Sequence, residues 1–318
     1  MSAPKLRRSA GGGRGGRKGA LERGVRLRSA FFLSALSVAL CALERWMLGR
    51  WGGALPGAAL MLWQALFSIG CFELPALLGL GVLDGDQARL LPRRAVGAAQ
   101  IRSLALLGAL LVAPMTLLTD MLLGVGERLF GVSAAAVSAS PLDPALFLPL
   151  ILKSAVIAPL CEEHFFRGYL LGALGRLGRV GAVAVSAAVF ALAHGSNVAV
   201  YAVLGALLGF LRGAPGLRTR SLFAPVIVHS VYNFTLILLS YLGADALMTG
   251  LDLLSCALRI ALMAPFCATL KRLWALAPLR QDAVFDGGEG FTRREIALLC
   301  AAGVLALALP VVGEAMRR

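Results

Sequence analysis

Long apolar runs alternate with short charged connectors along the whole of this 318-residue chain. The runs are roughly 15–25 residues long, the length a helix needs to cross a hydrocarbon core of about 30 Å. Leu, Ala and Val dominate them, and no segment shows the ten-residue alternation of a membrane barrel. Backbone polar groups in lipid must be satisfied internally, which leaves helices. The pattern predicts an all-α, polytopic helical membrane protein with eight or nine transmembrane helices. The candidate spans are 29–48, 55–82, 101–123, 146–172, 180–194, 197–211, 222–242, 247–270 and 295–313. The fifth and sixth are short and the fourth contains an acidic pair. Any of these three is open to being broken, tilted or buried, and eight spans plus an interfacial segment fit nearly as well.

Composition agrees. A mean hydropathy of +0.80 and 58% hydrophobic residues exclude an ordinary soluble domain. The net charge of +14 is unevenly placed. Basic residues crowd the amino terminus and alternate connectors, including Arg89, Arg93 and Arg94, then Arg212, Arg218 and Arg220. The intervening connectors hold few, such as Arg45, Arg50 and Arg128. By the positive-inside rule the amino terminus is cytoplasmic, in a multi-pass inner (cytoplasmic) membrane protein. The basic excess therefore reflects topology, and no nucleic-acid partner is expected.

Four regions follow. Residues 1–28, rich in Gly, Arg and Lys, read as a disordered basic cytoplasmic tail attracted to anionic headgroups. Residues 29–145 are amino-terminal transmembrane helices, the first an uncleaved anchor. Residues 146–242 form a helical core, and 243–318 are carboxyl-terminal transmembrane helices. Small residues recur at helical spacing in the core, at Gly168/Gly172 and Gly205/Gly209/Gly213, and suit close helix approach. The six cysteines are scattered through spans without metal-site spacing and behave as small apolar residues.

Ionisable residues inside spans are costly and need a reason. Glu73 reads as a structural hydrogen-bonding residue, Arg259 as one that snorkels or pairs, and His164 as a packing neighbour. The informative set is Glu162-Glu163-x-x-x-Arg167, Phe190-x-x-x-His194 and His229-x-x-x-Asn233. Glu162 and Glu163 point about 100° apart on a helix and cannot share one environment. Glu163 and Arg167 are four apart in the favoured order for a helical ion pair, so they read as structural support. Glu162 is then left to face a cavity, where it takes a proton from a water attacking a peptide carbonyl. His194 holds that water or returns the proton to the leaving amine. His229 and Asn233 share one helical face and offer N–H groups to the developing oxyanion. Phe190 is expected to wall the pocket and exclude water.

In order and spacing these three motifs resemble those of the CPBP family of intramembrane endopeptidases, which includes CAAX prenyl proteases and bacteriocin-processing relatives. The resemblance covers residues 146–242. It implies a glutamate-activated water mechanism assisted by both histidines and the Asn. A metal-free route is favoured because the H-E-x-x-H arrangement of zinc proteases is absent, with zinc on Glu162, His194 and His229 as the alternative. The expected substrate is a membrane-associated polypeptide, cut at a sorting tail, a leader or a CAAX-like carboxyl terminus. The bilayer is the other expected partner. Two rival readings use the same polar residues: a non-catalytic immunity or scaffold protein that binds peptides, and a proton-coupled transporter.

Overall fold

The computed structural model describes residues 13–82, 96–130, 143–195, 198–213 and 221–275. The protein is all-α, with twelve helices among the described residues. They are α1 (Gly13–Trp51), α2 (Gly57–Ser68), α3 (Leu74–Val82), α4 (Ala98–Leu110), α5 (Val112–Phe130), α6 (Phe147–Ile151), α7 (Ala158–Glu163), α8 (Leu171–Ala173), α9 (Gly178–His194), α10 (Val198–Gly213), α11 (Phe223–Tyr241) and α12 (Leu253–Ala275). Several join end to end into spans. Among the described residues, six stretches are long and apolar enough to cross a membrane: Leu27–Ala54, Gly57–Gly81, Ala98–Gly124, Pro144–Ala173, Phe223–Tyr241 and Leu253–Leu273.

Three expectations change. The helix of the first span begins at Gly13, inside the stretch expected to be a disordered tail. Once the apolar span nucleates a helix, each further turn costs little, and Leu21, Glu22 and the following Arg residues are tolerant of it. The fifth and sixth expected spans are α9 and α10, which fall short of the other six. The eighth starts at Leu253 rather than 247, because Gly243 (φ +65°) and Gly250 (φ +84°) turn the chain before it. Asp252 then accepts from the Ser255 amide at 3.0 Å and opens the helix. The connector at 84–94, most of 131–145 and the ninth expected span at 295–313 lie outside the described residues.

Two of the three π-helical turns among the described residues share a cause, and the third, His164–Leu170, has no proline following it in its helix. Pro75 follows the π turn Ile69–Glu73, and Pro159 follows the π turn Leu152–Ile157. A proline inside a helix has no N–H to donate and clashes with the carbonyl behind it, so the ladder widens there. Carbonyls freed in this way need partners in lipid. Ser37 Oγ donates to the Cys71 carbonyl at 2.6 Å, and Asn233 Nδ2 donates to the Ser154 carbonyl at 2.8 Å.

Glycines set the closest helix contacts. A β-carbon at Gly108 would lie 2.6 Å from the Val228 carbonyl, so α4 can meet α11 only at a glycine. Gly205 and Gly209 bring α10 against Ala187 and Val183 of α9, as the small-residue spacing anticipates. The fourth span is central, with α11, α9 and the second span against it. A ring cluster of Phe72, Phe165, Phe166 and Phe190 fills the space behind its acidic pair.

Candidate active site

Glu162, Glu163 and His164 are consecutive, and the helical rotation sends each to a different neighbour. Glu162 faces a cavity of about 170 Å³, well above the space one water needs. Glu163 turns inward, and its Oε1 accepts from Arg167 Nη1 at 3.0 Å. His164 turns toward the second span, with Nδ1 2.9 Å from both oxygens of Glu73. That contact is the interhelical hydrogen bond read for Glu73 from the sequence.

Glu163 does more than pair with Arg167. The same oxygen lies 2.9 Å from His229 Nδ1 of α11. An ionised carboxylate only accepts, so Nδ1 carries the proton and Nε2 is turned to the cavity. Arg167 is fully buried between Glu163, the Gly205 carbonyl at 2.7 Å and the face of Phe190, 4.8 Å from the ring centroid. The ion pair anticipated at i, i+4 spacing therefore also orients a histidine from another helix. No spacing rule in the sequence signals that link.

His194 is held by a parallel device. Its Nδ1 donates to the Phe190 carbonyl at 2.7 Å, which again leaves Nε2 toward the cavity. The two Nε2 atoms converge on one oxygen: Glu162 Oε2 is 3.8 Å from His194 and 4.0 Å from His229. Oε2 is buried and has no hydrogen-bond partner in the protein. These separations are too long for direct hydrogen bonds and suit a small bridging molecule.

The cavity is lined by Glu162, His194, His229 and Asn233 together with Thr119, Tyr201, Leu204, Tyr232 and Leu236. Phe190 is not among them. It was expected to wall the pocket, and instead lies behind it as a platform for His194 and Arg167, with its carbonyl orienting the imidazole. Asn233 is also placed differently from expectation. One N–H of its amide is taken by the Ser154 carbonyl, so the other is what remains for an oxyanion. Tyr201 and Tyr232 went unnoticed in the sequence, since a tyrosine in an apolar helix carries no motif.

The sequence leaves one depth problem: His194 ends an outward-running segment, while His229 begins one near the inner edge. Length solves it. The seventeen residues of α9 span about 25 Å, less than the core thickness, and Gly195 (φ +69°) turns the chain back within the protein. The α9–α10 hairpin therefore reverses at the level of the second turn of α11.

Residues 144–235 match the family model described as Rce1-like, type II CAAX prenyl endopeptidase. No curated protein and no solved structure matches the chain.

Proposed function

From a membrane-embedded segment matching the Rce1-like type II CAAX prenyl endopeptidases, we propose that this protein hydrolyses a peptide bond of a membrane-associated polypeptide with Glu162 as general base. The observation that carries the reading is the convergence of two Nε2 atoms on the unpartnered Oε2 of a buried carboxylate. A water held among these three atoms gives its proton to Glu162 and attacks the carbonyl carbon. The oxyanion forms beside the second Asn233 N–H and His229 Nε2. Glu162 then returns the proton to the departing amide nitrogen by way of His194, the C–N bond breaks, and a carboxylate and an amine leave.

An uncompensated buried charge is costly in lipid, and the Glu163–Arg167 pair meets that cost locally. Donation from His229 Nε2 to the oxyanion requires the imidazolium, which Glu163 stabilises through Nδ1.

Thr119, Asn233 and Leu236 line the cavity from the middle stretches of α5 and α11. Access from the outer face of the inner membrane would favour a carboxyl-terminal sorting tail as substrate, and access from the cytoplasm a CAAX-like terminus.

The deciding experiment compares membrane-proteome termini by mass spectrometry between cells carrying wild type and Glu162→Gln at matched abundance. New termini confined to the wild type are expected, and their sequences separate tail, leader and CAAX-like cleavage. Identical termini from folded proteins would remove the peptidase reading. A metal-free route further predicts that 1,10-phenanthroline and EDTA leave peptide cleavage by the purified protein intact. Loss of cleavage, restored by zinc, would instead assign Glu162, His194 and His229 as ligands.

A further inference from the structure

Two aromatic rings bound His194. Tyr201 of α10 is stacked on one face of the imidazole at 4.0 Å and 21°, and Phe190, one turn earlier on α9, lies tilted beside it at a centroid distance of 4.4 Å. The Phe190 and Tyr201 centroids are 6.3 Å apart, so the two rings form a corner around the imidazole. Rotation of the imidazole toward either ring would require that ring to move. The end of α9 is pinned separately, from the first span. Arg45 Nη1 donates to the Ala193 carbonyl, one of the last carbonyls of α9 and thus without a helical partner. Its guanidinium occupies the space a side chain at Gly195 would take, with Cζ 2.6 Å from the ideal β-carbon position. A cation there also suits the negative end of α9.

We infer that Tyr201 and Arg45 are positioning residues for His194: the tyrosine ring covers one face of its imidazole, and the arginine pins the end of α9 that carries it. The Nδ1 bond to Phe190 selects which nitrogen faces Glu162, but it does not fix the ring plane. The two rings do. Arg45 lies outside residues 144–235, so the site is completed by a span that the family match leaves out. The assignment rests on His194 acting at the cavity, and its test therefore includes a readout that needs no substrate.

The full-length protein, labelled with ¹⁵N/¹³C-histidine in lipid nanodiscs, is examined by NMR, with His194 assigned through His194→Gln. Ring currents from Tyr201 place the His194 ring protons upfield in the wild type. Tyr201→Phe keeps that position, whereas Tyr201→Leu moves and broadens the signal. Arg45→Ala broadens it and Arg45→Lys restores it. The same proteins are assayed on a fluorogenic peptide ending in a farnesylated Cys-aliphatic-aliphatic-Xaa sequence and on the tail identified by terminal proteomics. Turnover falls by about 10- to 100-fold in Tyr201→Leu and Arg45→Ala with KM unchanged, the scale of a misplaced catalytic group.

A His194 signal unmoved in Tyr201→Leu overturns the stacking role, and one unmoved in Arg45→Ala overturns the pin. Loss of turnover in Tyr201→Phe with the signal in place assigns the work to the hydroxyl and also overturns the inference. If Tyr201→Leu unfolds, seen as collapse of all three histidine signals, Tyr201→Met supplies the same comparison with similar bulk and no ring. A wild type that cleaves neither peptide counts against the peptidase reading, while the NMR comparison still decides the positioning.

Discussion

Adjacent glutamates of the same chemistry occupy opposite situations here. Glu162 has an unpartnered oxygen on a cavity, and Glu163 is fully enclosed with two cationic or proton-bearing partners on one oxygen. Their substitutions should therefore differ in kind. Glu162→Gln keeps the shape and is expected to remove turnover with the melting temperature of the detergent-solubilised protein unchanged. Glu163→Gln leaves Arg167 buried beside a neutral amide, and breaking a buried pair costs roughly 3–5 kcal/mol. It should lower the melting temperature and abundance as well as activity, in fluorescence-detected gel filtration. Asn233→Ala is expected to reduce turnover by roughly 100-fold or more if its second N–H meets the oxyanion. An unchanged rate in Asn233→Ala would leave the oxyanion to His229 alone.

Prolines give the spans their functional shape at the scale of the element. Pro159 prevents the fourth span from closing its ladder, and the carbonyl of Ser154 is taken by Asn233 from α11. Pro159→Ala is expected to let the turn Leu152–Ile157 relax toward an α-helix, which withdraws the anchor of Asn233. Thermal stability should hold or rise while turnover falls, a combination that loss of packing would not produce. Equal losses in both would show that Pro159 serves the fold rather than Asn233. The α9–α10 hairpin makes a similar point. Its glycine-rich interface and its length, short of a full crossing, deliver His194 to mid-protein depth where a longer helix would carry it past Glu162.

Distant polar contacts hold the assembled molecule together. Arg259 of α12 pairs with Asp120 of α5 at 2.6 Å and donates to carbonyls of the turn before α12. This completes as an ion pair what the sequence left between snorkelling and pairing. The basic connectors predict a cytoplasmic amino terminus. An epitope tag inserted at Gly243 should be reached by antibody from outside intact spheroplasts, and one inserted at Thr219 should not. The reverse result would overturn that orientation.

Apolar run length alone determined the membrane class and the positions of the long spans, since a helix satisfies its backbone locally and its length is set by the bilayer. Motif order alone singled out Glu162, Glu163, Arg167, His194, His229 and Asn233, because polar residues in lipid stand out against their surroundings. Only the tertiary structure decided that Glu163 orients His229, that Phe190 stands behind the cavity, and that Arg45 and Tyr201 flank His194. The Glu163–His229 and Arg45–Ala193 contacts join residues far apart in the chain, and the ring contacts of His194 depend on a hairpin whose placement is set by helix packing rather than by any local pattern.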